Sequence, residues 1–365
     1  MIYVHIPFCH SKCAYCDFYS TPDSRRMEDV CERILLEYSL RKDELGPAAR
    51  TRTLYFGGGT PSILPPHLLT RLARGLYRPD ETEEFTIEVN PEDVSPETVA
   101  HWRSEGVNRV SMGIQSFVDS ELQAVGRRHS GADALRAIRL LRQGGITNLS
   151  CDLIYGLPGQ TRESWRHSLE RLLGEGPAHI SAYCLSYEPG TMLTRRLEQG
   201  RIRATDDETI GDMYAYLCQS LRAEGYEHYE ISNFALPGMR SKHNSSYWTG
   251  TPYLGLGPGA HSLDFRGVRR YNPPDIRRYT AAEGFPVATV DEEDDTDRLN
   301  DLLITALRTA EGLDLSRLTS DQAEKLMAKA SPFMRGGMLD GDGGRVRITE
   351  EAWLTSDGIL RELLF

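Results

Sequence analysis

The sequence predicts an α/β fold: an open, partial (β/α)6 barrel followed by a small C-terminal helical domain of winged-helix-like character. Three observations carry this reading. Short β-rich runs alternate with amphipathic stretches through the first two-thirds of the chain, a cysteine loop directly follows the first run, and the alternation stops near residue 230. Strands alternating with helices indicate a parallel sheet with crossover helices. Six such units are too few to close an eight-stranded barrel.

The strands expected in order are Tyr3–Pro7, Thr53–Phe56, Phe85–Val89, Arg109–Gln115, Leu149–Ile154 and Ile180–Leu185. Amphipathic stretches lie near 25–45, 66–77, 96–105, 119–127, 131–143 and 161–173. Residues 231–275 are rich in Asn, Gly, Pro and aromatics and show no clear period. Residues 286–296 end in an acidic run that reads as a solvated helix start. Arg298–Thr309 is amphipathic, Val346–Thr349 reads as a short strand, and the last 15 residues read as helix. The expected organisation is a barrel over 1–230, a connecting region over 231–285 and a C-terminal domain over 286–365.

The chain has 365 residues and an apolar share of 39%, ample for a packed core. Its net charge of −11 argues against a nucleic-acid footprint. No stretch reaches the ~18 apolar residues of a membrane span, and no basic or long apolar leader follows Met1. A cytoplasmic protein is expected. Seven cysteines, an odd number with three clustered, fit a reducing compartment. Cys31, Cys151, Cys184 and Cys218 are expected to be buried thiols.

Cys9, Cys13 and Cys16 stand at C-x3-C-x2-C spacing after the first strand. A [4Fe–4S] cluster normally takes four thiolates. Three leave one iron open to a chelating molecule, a role that the amino and carboxylate groups of S-adenosylmethionine (SAM) fit. Zinc would want a second Cys or His pair nearby, and none follows before Cys31.

The run from Tyr3 to Phe18 resembles the opening of radical-SAM proteins of the HemN/HemW group, whose fold is the partial radical-SAM barrel. The coproporphyrinogen dehydrogenases of that group have a fourth cysteine two positions after the third. Here that position is Phe18, as in the haem-chaperone branch. The dehydrogenases also carry a segment ahead of the first strand, whereas this chain begins at the strand. Both differences favour the chaperone branch.

Gly57-Gly58-Gly59-Thr60-Pro61 follows the second strand, where glycines let the backbone approach a ligand. The resemblance makes it the group's GGGTP motif. Glu88 lies before the strand-stopping Pro91, near the rim, where a carboxylate can accept bonds from ribose hydroxyls. Asp152 in an apolar strand needs a partner or a ligand. By resemblance, Tyr3, Tyr15, Glu88, Gln115, Arg127 and Asp152 match SAM-site positions, with Arg128 competing for the role of Arg127. Leu185-Ser186-Tyr187 is expected to pack on adenine, with Ser186 in the site.

Lys242-His243-Asn244-Ser245-Ser246-Tyr247-Trp248 resembles the HNxxYW motif of the chaperone branch. Histidine can give haem iron an axial nitrogen, and Tyr247 and Trp248 supply flat apolar area for a porphyrin face. The spacing alone favours His243 capping a turn and Trp248 packing in a core; the cysteine loop upstream reverses the balance to haem.

The resemblance therefore implies a haem chaperone with a SAM-ligated [4Fe–4S] cluster. Its partners would be haem, apo-haemoproteins as recipients, respiratory proteins of the membrane in transient contact and, as an open alternative, a second copy in a homodimer. The competing function is oxygen-independent coproporphyrinogen III dehydrogenation. A radical enzyme acting on RNA would need a basic appendage that the composition does not offer.

Overall fold

The computed structural model describes residues 1–46, 52–281 and 288–365. Its elements in order are β1 (Ile2–Ile6), α1 (Met27–Arg41), β2 (Thr53–Gly58), α2 (Pro66–Leu76), β3 (Glu84–Val89), α3 (Pro96–Ser104), β4 (Arg109–Gln115), α4 (Asp119–Ala124), α5 (Gly131–Gln143), β5 (Asn148–Tyr155), α6 (Arg162–Leu173) and β6 (His179–Cys184). There follow α7 (Met192–Glu198), α8 (Asp207–Ala223), β7 (Glu227–Glu230), β8 (Asn233–Ala235), α9 (Lys242–Trp248), β9 (Leu254–Leu256), β10 (His261–Leu263), β11 (Arg269–Tyr271), α10 (Ile276–Ala281) and β12 (Thr289–Asp291). The C-terminal unit comprises α11 (Asp295–Ala306), β13 (Leu313–Asp314), α12 (Ser320–Arg335), β14 (Leu339–Asp342), β15 (Arg345–Ile348) and α13 (Ser356–Leu363).

All six expected strands are present, Arg109–Gln115 with the expected bounds and the others with ends within two residues of them, and they pair in parallel from β1 to β6. The sheet extends further than predicted. β9 adds a parallel strand outside β1, and β8 and β7 add antiparallel strands beyond β6. These strands are three or four residues long, too short to carry a period. Gly255 lets β9 in: a Cβ there would sit 1.8 Å from the His261 carbonyl oxygen.

Each main strand buries both faces, as parallel strands do. The outward side chains, among them Leu54, Phe56, Phe85, Ile87, Val110 and Leu153, form one core under the helices with Trp102 and Trp165. The inward positions carry polar groups instead, Tyr55, Glu88, Ser111 and Asp152 among them. Ser95, Ser130 and Thr161 close capping boxes at α3, α5 and α6, so the crossover helices start at fixed points above the strand ends. The wholly buried Glu37 ties α1 to the segment after β9, accepting from Gly257 N–H (3.0 Å), Asn272 (2.8 Å) and the Tyr279 hydroxyl (2.7 Å).

The C-terminal unit is the expected small domain of helices around a three-stranded antiparallel sheet, β13-β15-β14. Its acidic run begins α11, with Asp294 and Asp297 closing a capping box. The expected boundary at 285/286, with Pro286 and Val287, lies outside the described residues. The domain docks on β7 through backbone bonds, Ile231 N–H to Arg308 O (3.1 Å) and Ala310 N–H to Tyr229 O (3.1 Å). His228 stacks on Phe234 at 3.8 Å and meets Trp353 edge-on, with Nδ1 2.9 Å from Glu350 Oε1.

Cys31 and Cys151 are buried as expected. Cys184 is exposed and Cys218 only half-buried, contrary to expectation. Cys184 ends β6 at the rim of the sheet, and Cys218 faces the seam with the C-terminal domain, 4.0 Å from His228 Nδ1. No helix among the described residues is long and apolar enough to cross a membrane.

Candidate functional site

A cavity of about 460 Å³ opens at the C-terminal ends of β1–β6. The cysteine loop roofs it. Backbone bonds hold the loop: Cys9 N–H to Thr21 O (3.1 Å), Ala14 N–H to Val125 O (2.9 Å) and Leu193 N–H to Ala14 O (2.8 Å). Cys9, Cys13 and Cys16 are all half-buried and all line the cavity. Burial pushes the Cys16 thiol up to about 11, and the neighbouring sulfurs of Cys13 and Cys9 add to that.

The donor set fits a cluster better than a single ion. Among the described residues, the His/Cys/Asp/Glu group whose ligand atoms crowd within 4.8 Å is Cys218–His228–Glu350. The loop instead supplies three thiols to one cavity, and a cluster offers each thiolate its own iron.

The glycine run packs against the same loop. Gly59 N–H bonds Ile6 O (2.9 Å) and Thr60 N–H bonds Phe8 O (2.7 Å). Gly58 has φ +103°, and a Cβ there would lie 2.5 Å from the His5 ring; at Gly59 it would lie 2.6 Å from Phe8 O. No other residue type fits this passage without displacing β1 or the loop. Thr60 Oγ1 donates to Cys9 Sγ at 3.5 Å.

Glu88 Oε1 accepts from the Tyr55 hydroxyl (2.8 Å) and Oε2 from Gly58 N–H (3.1 Å). Burial pushes its carboxyl up to about 7; the Tyr55 bond opposes this and the Asp152 charge adds to it. Asp152 is pushed up to about 6 by burial, against its bond to Ser181 and the Arg109 charge. Gln115 has φ +68° at an irregularity between Gly113 and Gln115, the single non-glycine of positive φ among the described residues. Backbone strain of this kind concentrates at functional sites.

Arg127 donates to Asn90 Oδ1 (2.7 Å), Gly113 O and Cys13 Sγ (3.7 Å). It lines the cavity, and Arg128 does not. Tyr15, Gly58, Gly59, Thr60, Glu88, Gln115, Asp152 and Ser186 also line it. Gly57 stands behind Glu88, where a Cβ would lie 2.9 Å from Oε1. Tyr3 lies deeper in the barrel, its hydroxyl 3.2 Å from His5 Nδ1 and its ring 6.0 Å from that of Tyr55.

The sequence reading missed Asn90 and Tyr183 in the lining. Asn90 joins Thr60 Oγ1 (3.3 Å) to Arg127. Its signal was the spacing to Glu88, since i and i+2 share a strand face. Phe18 is 64% exposed at the cavity mouth, where Lys12 Nζ donates to its carbonyl at 3.0 Å.

The His243 motif lies at the opposite, N-terminal end of the strands. It forms α9, whose first N–H groups are capped by Glu84: Lys242 N–H and His243 N–H each donate to it at 2.9 Å. His243 is buried at 1% exposure, with Nδ1 2.8 Å from Thr53 Oγ1 and Nε2 3.0 Å from the Tyr247 hydroxyl. Its ring lies 4.9 Å from that of Tyr55. Burial pushes it down to about 3, so it is neutral at physiological pH. Trp248 faces the other way, into a second cavity of about 420 Å³ between α9 and the C-terminal domain.

Residues 3–172 match the radical SAM superfamily, and residues 294–355 match the HemN C-terminal domain. The chain is 34% identical over 338 residues to a protein named heme chaperone HemW from Bacillus subtilis (strain 168), covering 89% of this chain and 87% of that one. It is 34% identical over 375 residues to a protein of the same name from Mycobacterium tuberculosis (strain ATCC 25618 / H37Rv), covering 100% and 94%. Its fold is similar to that of coproporphyrinogen III oxidase (HemN) from Escherichia coli, with TM-score 0.83 at 24% identity, covering 99% of this chain and 89% of that one.

Proposed function

The chain belongs to the HemW family, and on that premise we propose that it is a haem chaperone, binding haem and passing it to apo-haemoproteins in the cytoplasm and, transiently, to respiratory proteins at the membrane. Membership of the radical SAM superfamily implies a [4Fe–4S] cluster and SAM. Cys9, Cys13 and Cys16 would hold the cluster. The glycine run, Glu88, Gln115, Arg127 and Asp152 would hold SAM. When bound, the pair supplies one-electron chemistry. The chain's own groups set the conditions. Arg127 donates to the Cys13 sulfur, the Glu88 carboxyl fixes the backbone at Gly58, and Phe18 sets an exposed ring at the cavity mouth in place of a fourth thiol.

The observation that carries the reading is Phe18 together with the HNxxYW sequence on α9. Both follow the chaperone pattern in a chain whose fold is also that of a coproporphyrinogen oxidase. The test is anaerobic reconstitution followed by two assays, haem titration with transfer to an apo-haemoprotein and turnover of coproporphyrinogen III with SAM and a reductant. Stoichiometric haem binding with no decarboxylated porphyrin is expected. Protoporphyrinogen formation proportional to protein would reverse the assignment.

A further inference from the structure

The seam between the barrel and the C-terminal domain gathers three ligand-bearing side chains from three elements. Cys218 comes from α8, His228 from β7, and Glu350 from the turn Glu350–Thr355 that leads into α13. One ligand atom from each lies within 4.8 Å of the other two. His228 Nδ1 is the hub, 2.9 Å from Glu350 Oε1 and 4.0 Å from Cys218 Sγ. The surroundings hold these donors in place. The His228 side chain is 6% exposed, stacked on Phe234 at 3.8 Å and met edge-on by Trp353 at 4.3 Å. Arg222 takes the other Glu350 oxygen, Oε2, and so leaves Oε1 to the seam. The thiol is not part of the His228–Glu350 bond, because a sulfur at 4.0 Å is beyond a good hydrogen bond. That spacing is nevertheless within about half an ångström of the ~3.5 Å that sulfur and nitrogen keep around one tetrahedral zinc.

We propose that Cys218, His228 and Glu350 form a zinc site that ties the C-terminal domain to the barrel. Thiolate sulfur, imidazole nitrogen and carboxylate oxygen are donor types that zinc takes, and three protein ligands leave its fourth position to water. The sulfur and the carboxylate are only half-buried, so an ion can enter from solvent. On binding, the thiol proton leaves to solvent and the contact between Nδ1 and Oε1 opens by about 0.4 Å to admit the metal. The site needs neither haem nor the cluster, so it stands apart from the haem-chaperone reading.

The experiment titrates the full chain, its cluster reconstituted and loose metal removed, with zinc chloride under anaerobic conditions. Metal analysis after desalting should find one zinc per chain beside the cluster iron, and the melting temperature should rise with zinc concentration. Cys218→Ser keeps the His228–Glu350 bond. It should therefore leave the zinc-free melting temperature near native while weakening zinc by about tenfold or more. His228→Gln and Glu350→Gln should weaken zinc by a similar factor. An unchanged iron–sulfur spectrum is the check that each variant is folded and that zinc has not entered the cysteine loop. A native chain that takes no zinc, or a Cys218→Ser variant with native affinity and the same thermal shift, would overturn the site. Native affinity in Glu350→Gln would overturn its tie to the C-terminal domain.

Discussion

Tyr247→Phe is the sharpest probe of how α9 meets haem. In the structure, His243 has no free ring nitrogen: Thr53 occupies Nδ1 and Tyr247 occupies Nε2. If His243 is the axial ligand, one of these bonds must break when haem binds. Burial pushes His243 down to about 3, so the ring is neutral and carries a lone pair suited to iron. Removing the Tyr247 hydroxyl leaves Nε2 unpaired in a site where His243 is 1% exposed. A buried polar atom left unsatisfied costs about 1–3 kcal/mol. That cost falls on the haem-free form and is absent once iron takes the nitrogen. Haem affinity should therefore rise by about fivefold or more, since ~1.4 kcal/mol is a factor of ten. Unfolding of the haem-free protein should show a matching loss of stability. Soret titrations of native protein, Tyr247→Phe and His243→Ala supply the comparison, with His243→Ala expected to weaken haem by at least about tenfold. A weaker Tyr247→Phe beside an unaffected His243→Ala would refute the reasoning and turn attention to Tyr247 itself.

Two further outcomes follow from the rim cavity. Replacing Cys9, Cys13 and Cys16 together by alanine should abolish the visible iron–sulfur absorbance and the bound iron; a variant that still reconstitutes about four irons per chain would place the cluster elsewhere. Glu88 sets a pH dependence. Its native carboxyl titrates near 7, above the ordinary carboxylate range, so between the two the folded state holds a proton that the unfolded state has lost. Stability then falls as pH rises through that window. In SAM-free protein, Glu88→Gln should lose less stability between about pH 5 and pH 8 than the native chain, as read from urea midpoints. Asp152 and Glu230, raised by burial to about 6 and about 7, act with the same sign and keep the slope from vanishing. An equal loss in the variant would show that Glu88 is already ionised in the native state across this window.

Much of the barrel was legible because its signals are local. The alternation of apolar and polar positions in Phe85–Val89 fixes which side chains face the helices, and therefore puts Glu88 in the lumen. Three glycines after a strand announce a close backbone passage, and the structure shows what they pass: His5 and the carbonyls of Ile6 and Phe8. What stayed hidden depends on contacts distant in sequence. β9 is a three-residue strand whose pairing is decided by β1 and by the tight approach of His261. Cys184 reads as one more thiol in an apolar strand, yet it stands at the strand's last position, where burial ends.

The motif on α9 shows how a correct local pattern can conceal its geometry. Read as an irregular loop, His243, Tyr247 and Trp248 suggest one site with a ligand and two flat walls. They form a helix because Ser241 caps the Asn244 N–H and Glu84, brought from β3, satisfies the N–H groups of Lys242 and His243. Ser241 announces its share of that cap locally; nothing within residues 242–248 announces Glu84. Once the segment is helical, 3.6 residues per turn puts His243 and Tyr247, four apart, on one face and turns Trp248 about 100° away from Tyr247. The spacing that makes the motif recognisable thus divides it between two compartments. His243 sits against Tyr55, whose hydroxyl holds Glu88, while Trp248 faces the C-terminal domain. Any movement of α9 that frees His243 for iron therefore acts on the Tyr55–Glu88 pair at the SAM cavity and on the cavity α9 shares with the C-terminal domain together.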